Sequence, residues 1–202
     1  MGMAFDSAPF NEDGFMELEF LSIKKRFAIT NVVETGTYHG VTTCWLANSF
    51  KNVYTTEVNP NFYTIAQNRF IDNKVQDKIK AYQGDSVTVL ALIIDDIKQK
   101  GGNSLFFLDA HWYANPLIGE LNQIAVSGYK PTVICIHDMM NPNDLTMGYD
   151  VYPDQGITYT YEWVQPHIEA IYGKDGYEYY FNEKADGARR GALFIINKDA
   201  NN

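Results

Sequence analysis

Cysteine, positive charge and long apolar runs are all scarce in this sequence of 202 residues. Lysine and arginine together number 16 against 25 acidic residues, so the formal net charge is −9. Because nucleic acids and anionic membrane surfaces are bound through clustered basic side chains, this balance argues against both as partners. No apolar run approaches the roughly 20 residues that cross a bilayer as a helix. We therefore expect a globular protein that binds neither nucleic acid nor membrane.

The two cysteines, Cys44 and Cys135, both lie inside apolar stretches. Such positions favour buried thiols in a reducing compartment over a disulfide. The sequence therefore predicts a cytoplasmic protein.

Strand-like and helix-like segments alternate from residue 31 onwards. This alternation predicts an α/β fold, in which helices cover both faces of a doubly wound, Rossmann-like and mostly parallel sheet. Two further strand patterns near the C-terminus are joined by a short link, which predicts an antiparallel hairpin and a total of seven strands. Residues 1–30 are predicted to be a helical N-terminal lead-in, and residues 31–202 a single domain. The predicted strands are 31–36, 52–58, 78–85, 103–110, 131–138, 176–183 and 190–197.

Each of the five predicted parallel strands ends in a carboxylate. Ligands of such sheets bind beyond the carboxyl ends of the strands, so these side chains are candidates for a binding site. The alternative is that they only cap the helices that follow. The five residues are Glu34, Glu57, Asp85, Asp109 and Asp138.

The turn after the first strand is not a diphosphate-binding loop. It contains Gly36 and Gly40, but Tyr38 stands where a dinucleotide-binding turn has its middle glycine. Glu34 beside this turn would repel a phosphate and attract an ammonium group. Glu57 follows the second strand, where an acid binds ribose hydroxyls in dinucleotide folds. The turn therefore suits a nucleoside that carries a positive charge.

Three segments, "VVETGTYHGVTT", "TTEVNP" and "YQGDS", resemble the first three motifs of class I S-adenosylmethionine (SAM)-dependent methyltransferases. The resemblance implies that residues 31–202 are a methyltransferase domain with SAM as cofactor. It places the methionine part near the glycine turn, the ribose on Glu57, and the adenine near Asp85 and Ser86. For Asp85, a simple helix cap is the alternative. The implied cofactor-binding residues are Glu34, Gly36, Tyr38, Gly40, Glu57, Asp85 and Ser86.

Asp109 and Asp138 end two consecutive strands, in "FFLDAHWY" and "CIHDMMNP". If these strands are neighbours, the two carboxylates could share a divalent cation such as Mg²⁺. His111, His137 and Asn141 are the candidates for a third ligand. The alternative for each histidine is a ring that packs at the end of the sheet.

These two segments resemble the metal-dependent O-methyltransferases of the catechol and antibiotic-sugar types. The resemblance implies a metal site at Asp109, Asp138 and His137 that holds Mg²⁺ or Mn²⁺. The sequence departs from the catechol type at Met139, where that type has asparagine, and it lacks the lysine that serves there as a base. We therefore expect His111 to be the catalytic base, with Asp109 as the second choice.

A long, tyrosine-rich segment, 139–163, follows the fifth strand. Between His137 and Gly173 the chain has six acids, five tyrosines and no lysine or arginine. Such a surface suits sugars, polyols, phenols or amines, and the alternative is an ordinary solvated loop. The sequence thus predicts metal-assisted O-methylation of a small-molecule or glycan acceptor, by a protein that could be a homo-oligomer. The rival interpretations are a hydroxylase-like enzyme of the same fold and a non-catalytic binding module.

Overall fold

The computed structural model describes residues 8–111 and 115–201. Trp112, in the segment "FFLDAHWY", lies outside these residues. None of the helices in the described part of the chain has the length and apolar character of a membrane-spanning helix.

A seven-stranded sheet with strand order β3-β2-β1-β4-β5-β9-β8 forms the centre of the molecule. Strands β1 to β5 run parallel, and β9 lies antiparallel between β5 and β8. A separate two-stranded ribbon pairs β6 with β7. The predicted fold, including the C-terminal antiparallel hairpin, is confirmed. The strands are β1 (Ile29–Thr35), β2 (Asn52–Glu57), β3 (Ile79–Gln83), β4 (Asn103–Leu108), β5 (Val133–His137), β6 (Val151–Tyr152), β7 (Ile157–Thr158), β8 (Tyr177–Phe181) and β9 (Ala192–Asn197).

Helices cover both faces of the sheet, and each face has its own apolar core. One core includes buried side chains of α5, α6 and α7, and the other includes those of α2, α3 and α4. Several helices begin at a polar cap, such as Asn59 before α4 and Thr160 before α7. The helices are α1 (Pro9–Glu12), α2 (Gly14–Phe27), α3 (Val41–Ser49), α4 (Pro60–Asp72), α5 (Ser86–Lys100), α6 (Leu117–Ser127) and α7 (Tyr161–Tyr172).

The N-terminal segment packs onto the sheet. Phe20, Ile23 and Phe27 of α2 are buried in the same core as strand residues of β1 and β4. Strand β1 begins at Ile29, just before the predicted division of the chain at residue 30. That division stays a prediction. Cys44 and Cys135 are buried and unpaired.

The strand order reverses between β1 and β4, and this opens a crevice at the carboxyl ends of the parallel strands. The antiparallel β9 adds a second consequence. Its first residue, Ala192, lies opposite His137, the last residue of β5. The residues just before β9 therefore lie at the same edge of the sheet as the strand-end carboxylates.

Candidate functional site

The glycine turn after β1 is forced by the close approach of β4. Gly36 has φ +86°, and a Cβ there would lie 2.7 Å from the carbonyl oxygen of Asp109. A larger residue would therefore be both strained and in collision with backbone. Beyond this turn lies a pocket whose lining includes Glu34, Gly36, Tyr38 and Asp109.

Glu57 lies at the end of β2 and is held by the backbone of two turns. Its Oε2 accepts from the Tyr38 N–H at 2.8 Å, and its Oε1 accepts from the Asn59 N–H at 2.8 Å. The residue is buried, yet each carboxylate oxygen keeps a second lone pair. Glu57 is thus fixed in place and can still accept two further hydroxyl groups. The ring of Tyr38 is half exposed and stacks on His39 with centroids 3.8 Å apart.

Glu34 lies beneath the turn rather than on its surface. It is buried, and its Oε2 accepts from Thr43 Oγ1 at 2.5 Å and from Thr55 Oγ1 at 2.7 Å. Burial raises the pKa of Glu34 to about 8, because the hydrogen bonds of the two threonines offset only part of the desolvation. The predicted contact of Glu34 with an ammonium group stays a prediction.

The remaining predicted cofactor residues have clear structural roles. Gly40 precedes α3 with φ +79°, and a Cβ there would lie 2.7 Å from the Phe70 ring. Asp85 caps α5, since its Oδ2 accepts from the N–H and the hydroxyl of Thr88 at 3.0 and 2.9 Å. Asp85 is exposed and Ser86 is buried. The geometry of Asp85 agrees with the helix-cap alternative, and its contact with adenine stays a prediction.

The adjacent ends of β4 and β5 bring Asp109, His137 and Asp138 together. His137 Nδ1 lies 2.9 Å from Asp109 Oδ1 and 3.4 Å from Asp138 Oδ1. Burial lowers the pKa of His137, but the charges of Asp138 and Asp109 more than offset this and raise it to about 9. His137 is therefore an imidazolium at neutral pH, with Nδ1 donating towards two carboxylates.

The site also contains Arg190 and Asp150, which no sequence motif indicates. Arg190 Nε donates to Asp138 Oδ1 at 2.5 Å, and its terminal Nη2 donates to Asp150. The Asp150 N–H donates to the carbonyl of Asp138 at 2.9 Å. Asp138 itself has φ +60°, a conformation that is uncommon for a residue other than glycine and that concentrates at functional sites.

The residue types at this edge suit a hard cation, but several of them already have partners within the chain. Ligand atoms of Asp109, His137 and Asp138 lie within 4.8 Å of one another, as do those of His111, Asp138 and Asp150. However, His137 Nδ1 must give up its proton to coordinate a metal. Asp138 is already paired with the guanidinium of Arg190.

Asn141, the other candidate ligand, is committed to its own turn. Its amide donates to the carbonyl of Asn182 at 2.7 Å and accepts from the Asn143 N–H at 2.9 Å. The Asn141 side chain is thus held by two backbone groups, and its role as a ligand stays a prediction.

His111 lies deeper than expected for a base. Its side chain is fully buried, and its Nδ1 is 3.8 Å from Asp138 Oδ2, too far for a hydrogen bond. Burial lowers the pKa of His111, but Asp138, Asp109 and Glu120 more than offset this and raise it. Asp109 keeps 27% of its side chain exposed and lines the pocket at the glycine turn, so it is better placed to reach a substrate.

Glu120 of α6 is a fully buried acid near this site. Among the described residues, neither its carboxyl oxygens nor the ring nitrogens of His111 have a hydrogen-bond partner. Burial raises the pKa of Glu120. The sequence carries a signal for it, because Glu120 lies on the apolar stripe formed by Leu117, Leu121 and Ile124.

Part of the segment between β5 and α7 folds back over the strand ends. The Tyr152 hydroxyl donates to the carbonyl of His111, and the buried Tyr159 ring meets the His111 ring edge-on at 4.9 Å. The Tyr159 hydroxyl donates to Asn115 at 2.7 Å. This packing disfavours the alternative of an ordinary solvated loop.

No family model matches the sequence, and no curated protein matches it. Solved structures do match. An O-methyltransferase from Bacillus cereus in complex with SAH has a TM-score of 0.66 at 17% identity, covering 97% of this chain and 84% of that one. The O-methyltransferase TomG from Streptomyces achromogenes, in complex with SAM, has a TM-score of 0.62 at 16% identity, covering 90% and 79%.

A third similar structure has a different activity. Precorrin 8w decarboxylase from Methanobacterium thermoautotrophicum has a TM-score of 0.55 at 14% identity, covering 90% of this chain and 89% of that one. At such identities the likeness concerns the fold, which can host several reactions. The chain therefore has the class I methyltransferase fold that its sequence motifs predict.

Proposed function

We propose that this protein is a SAM-dependent O-methyltransferase that acts on a hydroxyl group of a small-molecule or glycan acceptor. The observation that carries the proposal is the pocket at the carboxyl end of β1. There, a sterically required glycine turn, a backbone-anchored Glu57 and the partly exposed Asp109 lie at the reversal of strand order. Two of the similar structures, both O-methyltransferases, contain SAH or SAM.

The proposed cofactor contacts follow the strand ends. Glu57 accepts hydrogen bonds from the ribose hydroxyls through the lone pairs that its backbone partners leave free. The turn at Gly36 and Tyr38 holds the methionine part, and Asp85 and Ser86 lie towards the adenine. When bound, SAM supplies a methyl group on a positively charged sulfonium.

Asp109 is the proposed proton acceptor. The Asp109 carboxylate would accept the hydroxyl proton as the acceptor oxygen takes the methyl group, with S-adenosylhomocysteine as the leaving group. His137 holds that carboxylate at 2.9 Å and fixes its orientation. His111, the base expected from the sequence, would first have to become accessible, because its side chain is fully buried.

Uncharged or cationic acceptors suit this site better than anions. The start of β9 brings Arg189 and Arg190 to the tyrosine-rich segment, but both are paired with carboxylates. Arg189 binds Asp144 at 3.0 Å, and Arg190 binds Asp138 and Asp150. Tyr152, which is partly exposed, provides aromatic surface of the kind that binds phenols and sugars. We propose no nucleic-acid partner, in line with the net charge of −9.

A metal-assisted form of the reaction is the second candidate. The observation that favours it is the two overlapping groups of ligand atoms, each within 4.8 Å. In that form, Asp109, Asp138 and His137 would hold Mg²⁺ or Mn²⁺, which would lower the pKa of the acceptor hydroxyl. We propose a cytoplasmic location, because buried, unpaired Cys44 and Cys135 suit a reducing compartment.

The test is methyl transfer from labelled SAM to a panel of phenols, polyols, sugars and amines, with and without a chelator. We expect transfer to a hydroxyl-bearing acceptor, and its loss in Asp109→Asn. SAM binding without transfer to any acceptor would instead favour the non-catalytic binding module. Oxidation of an acceptor, with SAM unconsumed, would favour the hydroxylase-like alternative.

A further inference from the structure

The guanidinium of Arg190 occupies Oδ1 of Asp138, a carboxylate that the predicted metal site needs. Its Nε is 2.5 Å from Asp138 Oδ1, and its Nη2 binds Asp150. Asp138 belongs to both groups of residues that could ligate a metal. A divalent ion on this oxygen would have to displace Arg190, since the two positive charges would otherwise share one carboxylate at short range.

The position of Arg190 is built into the backbone on both sides. The Gly148 N–H donates to the Arg189 carbonyl at 2.8 Å, and the Gly191 N–H donates to the Gly148 carbonyl at 2.9 Å. A Cβ on Gly148 would lie 2.8 Å from Arg190 Nη1, so the glycine makes room for the guanidinium. Three-quarters of the Arg190 side chain is shielded from solvent. It is therefore a fixed part of the site and not a flexible surface arginine.

Two of the three carboxylates at this edge already have the guanidinium of Arg190 as a cationic partner. Asp109, Asp138 and Asp150 carry the negative charges. Arg190 pairs with the last two, and His137 Nδ1 lies 2.9 Å from Asp109 Oδ1 and 3.4 Å from Asp138 Oδ1. Each of these acids thus has a nitrogen partner within the chain.

We propose that Arg190 is the resident cation of this site and that its guanidinium, by holding Asp138 and Asp150, keeps a divalent metal from binding there. Arg190 is a positioning residue, because it acts through Asp138 and not on the acceptor itself. The role in methyl transfer rests on the proposed function, but metal exclusion does not, and the two can be measured separately. Proton removal then belongs to Asp109, and the reaction requires no metal.

The test is binding of Mn²⁺, followed by loss of the electron paramagnetic resonance signal of the free ion. The wild-type protein is compared with Arg190→Gln, which removes the charge. Arg189→Gln is the matched control, because Arg189 is adjacent in sequence but pairs with Asp144, which belongs to neither group of candidate metal ligands. Circular dichroism verifies the fold of each variant.

We expect no Mn²⁺ site in the wild type or in Arg189→Gln below the millimolar range. Arg190→Gln should gain one site that binds at least about tenfold more tightly than the wild type, since the freed carboxylates then repel one another and attract a cation. Adding Asp138→Asn to Arg190→Gln should remove that site.

Two results would overturn the proposal. One is a tight Mn²⁺ site in the wild type that disappears in Asp138→Asn. The other is a folded Arg190→Gln variant that gains no site. Should that variant fail to fold, the wild-type titration decides the question by itself. Methyl transfer, measured with and without chelator, is an independent test. If no acceptor is methylated, the proposed function is contradicted, but the result on Mn²⁺ binding is unaffected.

Discussion

Glu34 should make the protein less stable as the pH rises from about 5 to about 8. Burial raises its pKa from an ordinary value of 4.5 to about 8 in the folded protein. The folded state therefore retains a proton that the unfolded chain releases above pH 4.5. The contribution of Glu34 to the free energy of unfolding is therefore largest below that pH. It falls as the pH rises towards 8 and is lost above about pH 8. At about 1.4 kcal/mol for each pKa unit, the upper limit of the loss is about 5 kcal/mol.

The variant Glu34→Gln isolates this effect. Its amide oxygen can still accept from Thr43 and Thr55, but it does not titrate. Urea unfolding gives the free energy of unfolding at pH 5 and at pH 8.5. The decrease between these two pH values should be smaller in the variant than in the wild type by at least about 2 kcal/mol. His137 and Glu120 titrate in both proteins, so the difference between the two proteins removes their contribution.

Glu183→Gln is the control, because Glu183 is an exposed acid on the link after β8. It should show the pH dependence of the wild type. Equal pH dependence in the wild type and Glu34→Gln would refute the reasoning, since it would mean that Glu34 ionises in the folded protein as it does in the unfolded chain.

Two further predictions concern the pocket. Asp109→Asn should lower kcat by at least about 100-fold with little change in SAM affinity, and His111→Gln should have the smaller effect; the reverse order would make His111 the base. Gly36→Ala should lower the free energy of unfolding by roughly 2–4 kcal/mol, from left-handed strain plus overlap with backbone. Gly156 also has a left-handed conformation, with φ +66°, but has open space around it, so Gly156→Ala should show the cost of backbone strain alone. Equal losses of unfolding free energy in the two variants would refute the overlap of a Cβ at position 36 with backbone.

Local patterns predicted most of the sheet. The five parallel strands and the C-terminal hairpin follow from apolar runs bounded by glycine and polar residues, and the structure has them at nearly the predicted positions. The polar residues after β4 and β5 were predicted to lie together because parallel neighbours end at one edge. Asp109 and His137 do so, with 2.9 Å between their side chains.

The partners that come from distant segments could not be predicted in the same way. Arg190 reaches Asp138 because β9 runs antiparallel beside β5, and the strand order is a property of the whole sheet. Asp150 lies in a segment without periodicity, so its sequence position carries no signal. Glu120 is different, because an acid on an apolar helix stripe is visible in the sequence. The burial of Glu34 was also missed, since its threonine partners come from α3 and β2.

The most direct test of the central claim is the binding of SAM, measured by isothermal titration calorimetry. We predict one site in the wild type and in the exposed control Glu183→Gln. In Glu57→Gln the affinity should fall roughly 10- to 100-fold, because a charged carboxylate that accepts ribose hydroxyls is lost. Absence of binding to the wild type, or unchanged affinity in Glu57→Gln, would contradict the account.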